Sequence, residues 1–123
     1  MSNAEAFRAL RIYKEEGGTR AAVEERSREE LPPGDLLLRV RYSSLNYKDA
    51  LSATGNPGVT KHYPHTPGID AFGEAVEGPY PPGTKLIITG YDLGMNTSGG
   101  FAEFVRVPSQ WAIPLPEGLS LRE

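Results

Sequence analysis

Period-two alternation of apolar and polar side chains recurs along this chain, and it breaks at Gly and Pro. The clearest instance is Asp35 to Tyr42, where Leu36, Leu38, Val40 and Tyr42 alternate with Leu37, Arg39 and Arg41. That pattern predicts a strand with one core face and one half-wet face. Phe7 to Tyr13 predicts a first strand, with Leu10 and Ile12 on one face and Ala9, Arg11 and Tyr13 on the other. A Gly17-Gly18 turn then leads into a pairing strand over Arg20 to Arg26, which makes a hairpin. Further strands are predicted over Gly68 to Glu77, with a bend or bulge at Gly73, and over Lys85 to Thr89, Phe101 to Val107 and Trp111 to Leu115.

One segment departs from this period. Ser43 to Gly55 reads as a short helix directly after the best strand. Asn46 is its expected N-cap, Asp49 either completes a capping-box-like pair three residues on or orients Lys48 or Tyr47, and Gly55 ends it. Asn56 to Pro67 shows no periodicity and reads as a long surface loop, of the kind that often carries function. Tyr91 to Gly100 reads as a polar loop. The sum is about seven short strands, one short helix and long loops, which predicts a mainly β, mostly antiparallel barrel or sandwich.

Composition narrows the function classes. With 123 residues the chain reads as one domain. The net charge of −3, with no obviously basic face, argues against nucleic acid as a partner. No apolar run approaches the roughly 20 residues that span a bilayer. No signal peptide is visible, so a cytoplasmic location is expected. The absence of cysteine excludes a disulfide framework and any thiolate zinc site. The 14 Gly and 11 Pro are spread as single turn signals between short apolar runs, which favours strands over long helices.

Four segments, in order, resemble the medium-chain dehydrogenase/reductase superfamily. They are Ser43-Ser44-Leu45-Asn46-Tyr47-Lys48-Asp49-Ala50-Leu51, Pro67-Gly68-Ile69-Asp70-Ala71-Phe72-Gly73, Pro82-Gly83-Thr84-Lys85 with Thr89-Gly90, and Gly99-Gly100-Phe101-Ala102-Glu103. Together they are most similar to its zinc-independent branch of quinone oxidoreductases and acryloyl-CoA reductases. The resemblance implies a GroES-like, partly open β-barrel with one or two short helices. It also implies a Rossmann domain that binds NADP(H), and this chain has no Gly-x-Gly pair to form its fingerprint. The expectation is therefore that residues 1–123 are the substrate-side catalytic domain of a larger reductase. Such a domain is expected to be inactive alone, not to bind NADPH tightly, and to dimerise through surfaces its partner domain normally covers.

The resemblance also bears on metal. Zinc-dependent members carry a cysteine where Asn46 stands, and a Gly-His-Glu run where Gly68-Ile69-Asp70 stands. Isoleucine is no ligand, and His62 and His65 have no third ligand near in sequence, so they read as surface or loop-packing histidines and no metal is expected. A metal-free site beside a nicotinamide can reduce a C=C bond conjugated to a carbonyl, given donors for the developing oxyanion. The resemblance assigns Tyr47 to the cofactor site and to catalysis, with a rim aromatic supporting the helix start as the competing role. Lys48 is either a donor to a thioester carbonyl or cofactor phosphate, or a solvated helix lysine. Asn46 is a cap, an active-site amide, or both.

Tyr91 and Asn96 are candidate substrate contacts in the loop after Gly90. Asp70, inside an apolar run, is expected to pair with an arginine or lysine, with a catalytic carboxylate as the competing role. Trp111 reads as core or domain interface, and Arg39 and Arg41 as solvated. The competing function class is a free-standing GroES-like binding or assembly module, such as a co-chaperonin, for which the Asn-Tyr-Lys-Asp and Pro-Gly-Ile-Asp motifs have no use.

Overall fold

A computed structural model describes residues 6–116, 118 and 119. Strands β1 (Ala6–Glu15) and β2 (Gly18–Ser27) form a continuous antiparallel hairpin from Ala6–Ser27 to Glu15–Gly18. A five-stranded antiparallel sheet follows, built from β3 (Leu36–Tyr42), β4 (Asp70–Glu77), β5 (Lys85–Thr89), β6 (Phe104–Val107) and β7 (Ala112–Pro114). Its strand order is β6-β3-β4-β5-β7. The two sheets stay open. Single bridges, Ala9 to Ala102 and Ile12 to His65, tie the hairpin to the rest of the molecule. The α-helix, α1, spans Tyr47–Ala53. No helix among the described residues is long and apolar enough to cross a membrane.

The main core lies on the Leu36–Leu38 face of β3, where Ala71, Ala75, Leu86, Ile88, Leu93, Val105, Val107 and Ala112 are buried with them. Truncating Ile88 to alanine there is expected to cost about 2–5 kcal/mol in a urea titration, the range for a large-to-small change in a packed core. A cost below about 1 kcal/mol would show that the site collapses around the missing atoms.

A second cluster of Phe7, Ala9, Leu31, Leu37 and Phe104 covers the opposite face. Leu37 is therefore fully buried, which the expected half-wet face did not allow. Beyond Leu37 that face of β3 carries exposed arginines. Arg39 lies over the Phe104 ring, its guanidinium carbon 4.9 Å from the centroid, and Arg41 pairs with Glu74 at 2.9 Å.

Strand β1 departs from its expected phase for a related reason. Phe7 and Ala9 are buried in the second cluster, Leu10 is only half-buried, and Ile12 is buried against the His65 segment. The strand serves two neighbours with two faces. The last part of the chain is less extended than its pattern suggests. Asp35 accepts from the Ser109 N–H (2.7 Å) and hydroxyl (2.8 Å), holding Ser109–Trp111 in a 3-10 turn. Strand β7 therefore starts only at Ala112. Trp111 packs on the main core as expected.

The segment 56–67 is not a surface loop throughout. Val59, Thr60, His65 and Thr66 are buried. Thr60 bonds the Ser52 hydroxyl at 2.6 Å and donates to the Met95 carbonyl at 2.7 Å, and the Tyr63 hydroxyl donates to the Ser52 carbonyl at 2.6 Å. Polar side chains that satisfy backbone acceptors let a non-periodic segment be buried at low cost.

Candidate active site

The site is built where β3 hands over to α1 and where the Pro67–Asp70 segment enters β4. Asn46 takes extended backbone angles as the cap residue, and the Asp49 N–H bonds the Asn46 carbonyl at 3.0 Å. Asp49 is 1% exposed. One of its carboxylate oxygens accepts from the Asn46 N–H at 2.8 Å. The other accepts from the Gly68 N–H at 3.1 Å and the Ile69 N–H at 2.9 Å. The capping expected of Asp49 is present, and it extends to a second segment of the chain.

The Asn46 side chain does different work. Its amide donates to Asp70 at 3.0 Å and to the Ser44 hydroxyl at 3.1 Å. Asp70 also accepts from the Ser44 hydroxyl at 2.6 Å. The expected ion pair of Asp70 is thus corrected. Among the described residues the ion pairs are Arg20–Glu15, Arg26–Glu30 and Arg41–Glu74, and Asp70 is satisfied by a hydroxyl and an amide instead. A half-buried carboxylate needs hydrogen bonds more than it needs a countercharge, and Ser44 and Asn46 supply them.

Glycines let these segments meet. Gly68 has φ +114°, and a Cβ there would lie 2.6 Å from the Gly100 and Phe101 nitrogens. The Gly100 N–H donates to the Gly68 carbonyl at 2.9 Å, the Phe101 N–H to Pro67 at 3.0 Å, and the Gly99 N–H to Thr66 at 2.8 Å. The Pro-Gly-Ile-Asp and Gly-Gly-Phe motifs are thus two sides of one backbone contact.

Tyr47 and Lys48 follow Asn46 on the fixed turn and both face solvent, Tyr47 at 78% exposure and the preceding Leu45 at 82%. No hydrogen bond or ion pair engages either head group among the described residues. Tyr91 and Asn96 are held elsewhere. Tyr91 has φ +55° and stacks parallel on Trp111, with ring centroids 5.3 Å apart. It remains 62% exposed. The Asn96 side-chain oxygen accepts from the Lys61 N–H at 2.9 Å, joining the two long loops. Among the described residues no hydrogen bond links Tyr91 or Asn96 to Asn46, Tyr47 or Lys48. Sequence reasoning missed Ser44, whose signal was only its place in the Ser-Ser-Leu-Asn run.

His65 packs inside the 56–67 segment, 4% exposed, with Nε2 bonded to the Gly94 carbonyl at 2.8 Å. His62 is exposed. The described residues hold no group of three His, Cys, Asp or Glu side chains placed to bind a metal. Burial, assisted by the positive charges of Arg11 and Arg26, holds His65 below the ordinary histidine value of 6.5, against opposing contributions from the Gly94 carbonyl and Asp92. A depressed folded-state value means that the unfolded chain binds the proton more readily. Stability from His65 is then complete above about pH 6.5 and falls as the pH drops below it. Between pH 8 and pH 5, His65→Gln is expected to show a smaller drop in Tm than the unsubstituted chain. An equal drop in both would assign the pH dependence to other groups.

The chain belongs to the alcohol dehydrogenase GroES-like domain family, whose model matches residues 32–117. Within that class it is similar to the acrylyl-CoA reductase AcuI of Ruegeria pomeroyi, at 42% identity over 95% of this chain and 37% of the relative. It is likewise similar to the putative quinone oxidoreductase YhfP of Bacillus subtilis, at 38% identity over 95% of this chain and 36% of that protein. Among solved structures, the yhdH oxidoreductase of Salmonella enterica in complex with NADP superimposes with a TM-score of 0.89 at 40% identity, over 94% of this chain and 36% of that one. The chain therefore spans little more than a third of the length of these relatives. The GroES-like resemblance and the mainly β architecture hold.

Proposed function

We propose that this chain is the substrate-side catalytic domain of a zinc-independent, NADPH-dependent reductase. The reaction adds a hydride and a proton across a C=C–C=O system, saturating the C=C bond of an acryloyl-CoA-like enoyl thioester or converting a quinone to its hydroquinone. The observation that carries this reading is the Asn46–Lys48 turn. Its cap is locked by two carboxylates, while Tyr47 and Lys48 project into solvent with no partner of their own among the described residues. Relatives at about 40% identity that are named as such reductases support the same reading.

The residues fit a nicotinamide. The flat, exposed Tyr47 ring beside exposed Leu45 offers an apolar surface for an aromatic ring, and the Tyr47 hydroxyl remains available as a donor. When bound, the cofactor supplies a hydride to the β-carbon of the substrate. The Tyr47 hydroxyl and Lys48 ammonium donate to the carbonyl oxygen as it gains enolate charge, the role a preorganised oxyanion site plays. Asn46 keeps this turn in place, since both of its amide hydrogens are already engaged. Tyr91 and the Asn96 amide nitrogen, both exposed on the loop after Gly90, are the further substrate contacts in this reading. Asn46 and Ile69 stand where the resemblance places a cysteine and a histidine zinc ligand, and in this reading hydrogen-bond donors meet the oxyanion.

The test is NADPH oxidation by the full-length enzyme with acryloyl-CoA and with a benzoquinone, after exhaustive chelation. Substrate-dependent oxidation that survives chelation is expected. No oxidation with either substrate, or activity that returns only with zinc, overturns the proposal.

A further inference from the structure

Buried carboxylates ordinarily meet a cation or stay near the surface, because an ionised group in the interior is costly unless its charge is answered. Asp49 is buried, and its hydrogen-bond partners are the backbone N–H groups of two adjacent residues, nineteen and twenty positions away, and of its own cap. A capping box needs only one of these, the bond to Asn46. The bonds to Gly68 and Ile69 reach across to the segment that carries Asp70, and Asp70 returns to hold the Asn46 side chain. The circuit is closed. Asn46 is gripped at its backbone by Asp49 and at its amide by Asp70, and the two carboxylates sit on chain segments that Asp49 itself joins.

We infer that Asp49 is a positioning residue for the reductase site. It fixes the Asn46 turn against the Pro67–Asp70 segment, and so fixes the origin of the Tyr47 and Lys48 side chains relative to the substrate. Two carboxylate oxygens can accept three donors in this geometry. The single oxygen of an asparagine cannot, and its NH2 would face a backbone N–H. Asp49→Asn therefore releases one of the two segments. The catalytic consequence rests on the function proposed above, because a misplacement of about 1 Å is enough to lower the rate of a positioned reaction by up to about a hundredfold.

Two measurements on the full-length enzyme test this. In the first, amide exchange in the wild-type protein is expected to show Gly68 and Ile69 protected. In Asp49→Asn the Ala50 amide is also expected to exchange at least about tenfold faster. Ala50 bonds the Asn46 carbonyl at 3.4 Å and makes no bond to the Asp49 side chain, so it reports the turn itself. In the second, kcat for acryloyl-CoA is expected to fall at least about tenfold while KM for NADPH stays within about twofold, at a temperature where circular dichroism shows the variant folded. Unprotected Gly68 and Ile69 amides in the wild type overturn the inference. So does an unchanged kcat in a folded Asp49→Asn enzyme, even with a lowered Tm, since that is a structural role alone. Failure of both Asp49→Asn and Asp49→Ser to fold also assigns Asp49 to structure and overturns it. If the wild-type enzyme reduces neither enoyl thioester nor quinone, the proposed function falls separately, and the Ala50 exchange rate decides this inference without substrate.

Discussion

Gly68→Ala is expected to destabilise the chain by about 2–6 kcal/mol. Two costs add. At φ +114° a residue with a Cβ is strained by about 1–3 kcal/mol. The new methyl would also sit 2.6 Å from two backbone nitrogens, which cannot move aside as a flexible side chain would. Overpacking of that kind costs typically about 1–3 kcal/mol. A domain of this size has only about 5–15 kcal/mol to lose, so the variant should populate unfolded chain in mild urea. The same change strains the Gly68 N–H bond to Asp49 and the Gly100 N–H bond to Gly68. Equilibrium urea unfolding measures it. A loss under about 1 kcal/mol would mean that the Pro67–Gly68 and Gly99–Phe101 segments part easily, and that the site is less fixed than the backbone contacts imply.

Tyr47→Ala is expected to separate function from stability. Its side chain is largely exposed and engages no hydrogen bond among the described residues. Surface substitutions of that kind leave stability within about 0.5 kcal/mol. In the full-length enzyme the same change should lower kcat/KM at least roughly tenfold, a loss of about 1.4 kcal/mol of transition-state stabilisation. An unchanged kcat/KM would return Tyr47 to the role of an aromatic at the helix start. A lower Tm with unchanged kcat/KM would say the same with more force.

The strands were largely legible because each buries one face, and period two records that. β3, β4 and β5 emerged within two residues of their expected bounds. What misled was two-sided burial. Leu37 and Ala9 lie on faces that a single alternating pattern marks as wet, and the second cluster that covers them is assembled from the hairpin and β6. A local pattern holds no record of a distant cover. The 56–67 segment failed for a different reason. Its burial rests on hydrogen bonds from Thr60, Tyr63 and His65 to carbonyls elsewhere, and these residue types look the same in a solvated loop.

The site was legible in part. Asn46 and Asp49 announced a helix start by their spacing, and the helix is there. The partners of Asp70 were not readable. A carboxylate in an apolar run suggests a cation, whereas the fold supplies Ser44 and Asn46. The glycine motifs gave no hint of their pairing, since Gly68 and Gly100 are thirty-two positions apart and meet only through backbone. The stacking of Tyr91 on Trp111 was equally hidden, because it joins a loop residue to one twenty positions away and a local pattern does not record such a contact.

Hydride delivery to the β-carbon is the step that defines the proposed reaction. The direct measurement uses the full-length enzyme, acryloyl-CoA and NADPH deuterated at the transferring position of the nicotinamide, with the product examined by deuterium NMR. The predicted result is propionyl-CoA carrying the deuterium at C3, the β-carbon, with the second new hydrogen, at C2, drawn from solvent. Deuterium at C2, or in an aldehyde formed by hydride attack at C1 with loss of the CoA thiolate, or a product that holds no cofactor-derived label, would contradict it.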